Sequence, residues 1–344
     1  MQVDRVLLAA PRGFCAGVEM AIKALAWMIR VFQPPVYCYH EIVHNRLVVD
    51  RFRRLGVVFV DDVTEVPPGA PLMLSAHGSA PEVVAAARRT GGFVVDAVCP
   101  LVTKVHHEVK VRAGKGYSIL YVGHEGHDEA VGTMAVAPES IHLVESEEDV
   151  AGLAVADQPV ALLAQTTLSH QDWAGVLAAA RERFPDLWMP GRSDLCFATT
   201  NRQTALVEIA SRSDAIVVLG SANSSNTVAL EKVARAAGCP RVYRVNAAAE
   251  LPDDLSGTVG VTAGASAPED LVRDVIDRLD PAEGVEEVRV TEEDEYFPQP
   301  RELRDLLAGI DAVVSLTLGG PPPSPALAED RQLAASDVLD ALAR

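Results

Sequence analysis

Ala215-Ile216-Val217-Val218-Leu219-Gly220-Ser221-Ala222-Asn223-Ser224-Ser225-Asn226-Thr227 reads as a strand, a glycine turn and a polar loop that opens a helix. The short apolar run ends in a small polar loop and gives way to helical periodicity. Ser224, Ser225 and Asn226 then bring small polar groups to a helix start, where backbone amides need partners. The same succession recurs at 72–74 into Ser75-Ala76-His77-Gly78-Ser79-Ala80-Pro81 and at 118–122 into Gly123-His124-Glu125-Gly126-His127-Asp128-Glu129. It returns at 160–164 into Gln165-Thr166-Thr167-Leu168-Ser169, and at 258–262 into Ala263-Gly264-Ala265-Ser266-Ala267-Pro268. Strands alternating with helices imply an α/β fold with parallel sheets. Ligands of such sheets bind beyond the carboxyl ends of the strands, where these loops lie.

Three cysteines occupy similar turns: Gly13-Phe14-Cys15-Ala16-Gly17-Val18, Asp96-Ala97-Val98-Cys99-Pro100-Leu101 and Ser193-Asp194-Leu195-Cys196-Phe197-Ala198. A free cysteine is usually a small buried hydrophobe, and no Cys-x-x-Cys pair is present, so each alone reads as structural. Their shared context suggests instead three comparable segments, each offering one thiolate to a common iron–sulfur centre. Three thiolates leave one iron with a position for a substrate. Cys38 in Tyr37-Cys38-Tyr39 and Cys239 in Ala237-Gly238-Cys239-Pro240 read as structural.

A chain of 344 residues is long enough for two or three domains, and 49% hydrophobic content suits a compact enzyme. A net charge of −18 argues against a nucleic-acid surface, which needs clustered Lys and Arg. Met1-Gln2-Val3-Asp4-Arg5-Val6-Leu7-Leu8 reads as a strand and not as the apolar core of a secretion signal. Five cysteines, an odd number, fit a reducing cytoplasm. The sequence has no apolar run of about 18 residues, so no membrane span is expected. No nicotinamide or flavin fingerprint of the Gly-x-Gly-x-x-Gly type appears.

The strand-end loops supply His, Ser, Thr, Asn and one Glu beside helix N-termini, a set suited to phosphate oxygens. Helix capping explains the Ser and Asn residues equally well. His124, Glu125, His127 and Glu129 also suggest zinc, but structural zinc sites usually include locally paired ligands of another kind.

Several longer runs decide among these readings: Pro11-Arg12-Gly13-Phe14-Cys15-Ala16-Gly17-Val18, His40-Glu41-Ile42-Val43-His44-Asn45-Arg46, Ser75-Ala76-His77-Gly78 and Cys99-Pro100-Leu101-Val102-Thr103-Lys104-Val105-His106. With Gln165-Thr166-Thr167-Leu168-Ser169, Cys196-Phe197-Ala198-Thr199-Thr200-Asn201-Arg202-Gln203 and Val261-Thr262-Ala263-Gly264-Ala265-Ser266-Ala267-Pro268, they closely resemble the 4-hydroxy-3-methylbut-2-enyl diphosphate reductases, the IspH or LytB family. The resemblance runs in order over about residues 1–305.

That resemblance implies the last step of the methylerythritol phosphate route to isoprenoids. The reaction is a two-electron reductive dehydroxylation giving isopentenyl and dimethylallyl diphosphate. It implies three similar α/β units in a trefoil around a central 4Fe-4S cluster, one per chain, with Cys15, Cys99 and Cys196 as ligands and an open fourth iron. His44, His77, Ser224, Ser225, Asn226 and Ser266 match the diphosphate pocket. His127, Glu129 and Thr166 match the residues around the reacting hydroxyl, as substrate contacts and catalytic groups. An external ferredoxin or flavodoxin is the implied electron donor, and the cytoplasm the implied location.

The units are expected at 15–98, 99–195, and 1–14 with 196–305. Residues 306–344 are expected to form a flexible Pro-rich tail, with a linker at 319–325 and a short helix near 336–343. Two positions depart from the family pattern: Asp128 stands where Pro is common, and Phe197 where Tyr is common. A hydratase or dehydratase using the open iron only as a Lewis acid is the second reading, and a non-catalytic cluster sensor the third.

Overall fold

The computed structural model describes residues 1–154, 158–318 and 330–342. The chain begins with β1 (Gln2–Ala10), α1 (Ala16–Val31), β2 (Val36–Tyr39), α2 (Arg46–Arg54), β3 (Val57–Val60), β4 (Leu72–Leu74), α3 (Pro81–Arg89) and β5 (Val94–Asp96). It continues through α4 (Pro100–Gly114), β6 (Ser118–Val122), α5 (Asp128–Met134), β7 (Ile141–Val144), α6 (Glu147–Gly152), β8 (Val160–Ala164) and α7 (His170–Arg183). The last part holds α8 (Phe197–Ala210), β9 (Ala215–Leu219), α9 (Ser225–Ala236), β10 (Val242–Val245) and β11 (Ser256–Ala263). It closes with α10 (Glu269–Leu279), β12 (Val285–Arg289), α11 (Arg301–Leu318) and α12 (Ala335–Leu342).

The strands form three parallel sheets, ordered β10-β9-β11-β1-β12, β3-β2-β4-β5 and β7-β6-β8. This is the α/β architecture that the strand–loop–helix succession predicts. β6, β8 and β9 are buried at every position, as their uninterrupted apolar runs require.

The chain divides into two compact units. The first joins Met1–Cys15 to Leu101–Glu293 and contains the five- and three-stranded sheets. β1 lies between β11 and β12, with Val6 beside both Val259 and Val285, so the first strand completes the sheet built by the last ones. Leu7, Ile216 and Val218 pack there against Leu206, Ile209 and Leu230.

The second unit joins Ala16–Pro100 to Asp294–Arg344 around the four-stranded sheet. Its α1 buries Met20, Ala21, Leu25 and Met28, while Val60, Leu72, Leu74 and Ala87 form a core cluster.

The expectation of a flexible tail from residue 306 needs correction over the described residues. α11 runs on to Leu318 and buries Leu303 and Leu307, an i,i+4 pair on one helix face. α12 packs on α1 and buries Ala335 and Leu339. Asp330 approaches the ammonium of Lys23, which is only 4% exposed, and a charge so deeply placed requires a partner. The expected linker at 319–325 lies outside the described residues. The expected short helix near 336–343 corresponds to α12. Among the described residues, no helix is long and apolar enough to cross a membrane.

Candidate active site

In the first unit the strand-end loops bring four groups of expected site residues into one hydrogen-bonded arrangement. Cys15 ends the turn after β1. Its N–H donates to the Ala265 carbonyl at 3.3 Å, and the Gly13 N–H to the Ala263 carbonyl at 3.2 Å. Gly13 has φ of +66°, a conformation that glycine adopts without strain, and a Cβ there would lie 3.1 Å from the Ala267 oxygen.

Cys196 is the N-cap of α8, with its Sγ taking the place that a Ser or Asp oxygen usually holds. The sulfur accepts the Thr199 N–H at 3.2 Å and lies 3.1 Å from the Thr199 hydroxyl. Burial, and next the neighbouring Cys15, push its thiol up to about 11. A thiol whose pKa is raised by burial and by a second thiol close by suits a bound cation, which deprotonates coordinating thiols outright. Asp194, two residues earlier, accepts from the Ala164 N–H and pairs with Lys104 at 3.1 Å, fixing the approach to Cys196.

Glu129 lies in the first turn of α5 and is 2% exposed. Its Oε1 accepts the Thr166 N–H at 2.7 Å, and its Oε2 lies 2.9 Å from the Thr166 hydroxyl. Burial raises its carboxyl to about 7, against the lowering effect of both Thr166 bonds. The Thr166 carbonyl in turn accepts the Cys196 N–H at 3.0 Å, so a single residue joins the carboxyl to the thiol-bearing turn. His127 caps α5 by accepting the Glu129 N–H at Nδ1, 3.1 Å away, which places the ring proton of a neutral imidazole on Nε2.

The start of α9 supplies the fourth group. Ser224 caps the helix by accepting the Thr227 N–H. Asn226 accepts the Ala265 N–H at 2.9 Å through Oδ1 and donates to the Thr199 hydroxyl at 3.4 Å through Nδ2. Gly220 and Gly264 both face Thr227 so closely that a Cβ on either would collide with its side chain. That close approach sets the α9 N-terminus over the ends of β9 and β11. Ser266, nearly buried, occupies the loop that follows β11.

The second unit carries Cys99, His44 and His77. The Cys99 N–H donates to the Ala76 carbonyl at 3.0 Å. The His44 and His77 rings stack with centroids 3.8 Å apart and planes 11° apart, on the loops that follow β2 and β4. Cys38 and Cys239 are buried, whereas Cys15, Cys99 and Cys196 are half-buried.

Sequence reasoning missed several supporting residues. Gln165 donates to the Ser225 and Thr167 hydroxyls and accepts the His124 N–H, while His124 Nδ1 lies 3.3 Å from the Ser225 hydroxyl. Burial, helped by the Lys232 ammonium, lowers the pKa of His124. Gln203 accepts the His170 N–H and donates to the Leu168 carbonyl, pinning the loop beyond Thr166. The available signal was their residue type: fully buried amides at 165 and 203 must find partners.

Residues 6–280 match the family model described as LytB protein. The chain belongs to the LytB family. A 4-hydroxy-3-methylbut-2-enyl diphosphate reductase of Rhodopirellula baltica is 48% identical over 310 residues, covering 88% of this chain and 97% of that protein. Another, from Streptomyces avermitilis, is 46% identical over 325 residues, 92% of this chain and 96% of that one. A solved E-1-hydroxy-2-methyl-but-2-enyl-4-diphosphate reductase from Plasmodium falciparum superposes with a TM-score of 0.86 at 31% identity, covering 90% of this chain and 99% of that one. LytB membership thus spans both units and includes every expected site residue up to Ser266.

Proposed function

We propose that this LytB-family chain is an oxidoreductase that converts 4-hydroxy-3-methylbut-2-enyl diphosphate to isopentenyl and dimethylallyl diphosphate, the terminal reaction of the non-mevalonate isoprenoid pathway. The observation that carries the reading is the Glu129–Thr166–Cys196 chain, which sets a proton donor beside a candidate metal ligand. Cys15, Cys99 and Cys196 would hold one 4Fe-4S cluster with an open fourth iron, one thiolate each from segments 15–98, 99–195, and 1–14 with 196–305. When bound, the cluster supplies electrons and a Lewis-acid position for the substrate hydroxyl.

The chain's own groups handle binding and proton transfer. The Thr166 N–H occupies Glu129 Oε1, so Oε2 is the oxygen that carries the proton. Protonated there, it donates to Thr166 Oγ1, whose own hydrogen is then free to reach a departing hydroxide. A carboxyl near 7 is about half protonated at neutral pH, the condition for an effective general acid. Nε2 of His127 provides a further donor two residues away.

Ser224, Ser225, Asn226, Ser266, His44 and His77 would take the diphosphate with hydroxyl, amide and imidazole groups and the positive end of the α9 dipole. Binding energy from that remote group orients the hydroxyl. A ferredoxin or flavodoxin would deliver the electrons. Such donors are usually acidic, so at −18 the chain needs a local basic patch to receive them. Five cysteines with no disulfide among them support work in the reducing cytoplasm.

The test is turnover of anaerobically purified chain with substrate and reduced viologen dye. The reductase consumes two electrons per product. Turnover without reductant would identify a hydratase or dehydratase, and no turnover by a cluster-loaded chain would identify a sensor.

A further inference from the structure

Arg202 is the largest fully buried side chain in the described protein, in α8 and six residues beyond Cys196. A buried guanidinium is costly unless every donor is occupied. Here Nε and Nη2 donate to the Gly13 carbonyl at 3.0 and 2.8 Å, and Nη2 also to the Phe14 carbonyl at 3.2 Å. Nη1 donates to the Ala198 carbonyl at 2.9 Å and to both Glu293 oxygens at 2.9 and 3.1 Å. Asn201 donates to the same carboxylate at 3.0 Å.

The acceptors are what make this more than a core ion pair. Gly13 and Phe14 immediately precede Cys15, and Ala198 lies in the first turn after Cys196. One planar group thus clamps both thiol-bearing turns of the first unit. Lysine, a point charge on a flexible stem, cannot reproduce that fork. Glu293 offsets the positive charge, so the clamp's main contribution is geometry.

We infer that Arg202 and Glu293 are a positioning pair that sets the separation of Cys15 and Cys196 and balances the charge beside them. The inference rests on the cluster reading above. Groups that orient metal ligands from behind typically change metal affinity by about 10–100-fold when lost.

The experiment uses full-length, anaerobically loaded chain and reads iron per chain, the chelator concentration that strips half of it, and the cluster reduction potential. Arg202→Met is expected to lower the chelator midpoint by about 10–100-fold, and Arg202→Lys by an intermediate factor. Arg112→Met removes another packed guanidinium from the same unit, one that lies 3.8 Å from the Trp188 ring, and should leave the midpoint unchanged. Glu293→Gln leaves the Arg202 charge unbalanced and should raise the reduction potential, a change that a purely structural role would not produce.

Equal midpoints for Arg202→Met and Arg112→Met overturn the inference, as does an unaltered potential in Glu293→Gln. Should Arg202→Met fail to fold, Arg202→Lys and Glu293→Gln decide the matter. A wild-type chain that takes up no iron overturns the cluster reading itself and the positioning role with it, whereas normal loading with unaffected variants rejects the positioning role alone.

Discussion

Glu129 in the first unit and Glu19 in the second are both carboxylates in helical first turns, and burial raises the pKa of both. Their partners differ. Glu19 pairs with Lys23 at 3.2 Å and accepts the Ala335 N–H at 2.7 Å, binding α1 to the start of α12. Among the described residues, the Glu129 carboxyl is hydrogen-bonded by the amide and hydroxyl of Thr166. A cation makes a carboxylate a fixed structural charge. Neutral donors, one of which can reverse its direction, leave it able to gain and lose a proton near neutrality.

The largest effects should come from removing what holds Glu19. Ending the chain at Leu318 takes away α12 and Asp330, exposing the surface that Leu339 covers and depriving Lys23 of one of its two carboxylates. We expect a loss of roughly 3 kcal/mol, mostly from one buried leucine with its neighbours. Thermal unfolding of the truncated chain measures it, and an unchanged midpoint would mean that α12 contributes nothing to the second unit.

Glu129→Gln should act on pH dependence next. An acid raised from 4.5 to about 7 stabilises the fold below its unfolded pKa, and that contribution is lost as pH rises through the folded pKa. The wild type should therefore lose up to about 3 kcal/mol between pH 4.5 and 7.5 that the glutamine variant retains, on the scale of 1.36 kcal/mol per pKa unit. Denaturant midpoints across that range give the answer, and parallel profiles would show that Glu129 is not held protonated.

The same variant should slow turnover by about 100-fold while keeping iron and substrate binding, because glutamine preserves shape but delivers no proton. Asp128→Asn, next along the chain, provides the comparison. If it alone slows the reaction, the proton comes from the neighbouring carboxylate.

Glu19→Gln should have the smallest effect, under about 1 kcal/mol and none on turnover, since its amide oxygen still accepts from Ala335 and Lys23 retains Asp330. A fall in turnover comparable to that of Glu129→Gln would erase the distinction between the two carboxylates.

The site was more legible in the sequence than its supports were. Thiols at strand-to-helix turns, His127 with Glu129, and the Gln165-Thr166 run stand in short local patterns, and the strands feeding them are continuous apolar runs. Arg202 was visible as a residue but not as a clamp, since its acceptors at Gly13, Phe14 and Ala198 are backbone carbonyls and leave no mark in side-chain patterning. The order through α11 was missed because the Pro-rich run at 319–325 suggests a flexible end, whereas the short helix at α12 was foreseen. β5, the partner of α11, and α1, the partner of α12, lie some 200 and 300 positions away, separations over which amphipathic faces cannot be matched by eye.

The placement of β1 between β11 and β12 also constrains how the chain is made. β1 leaves the ribosome long before its neighbours at residues 256–289, and Lys23 meets Asp330 later still. At about 5–20 residues per second, β1 waits roughly 15–60 s for a partner. During synthesis its apolar run Val6-Leu7-Leu8-Ala9-Ala10 is an unpaired sheet edge that chaperones can bind, so the yield of active enzyme should depend on their supply as well as on iron.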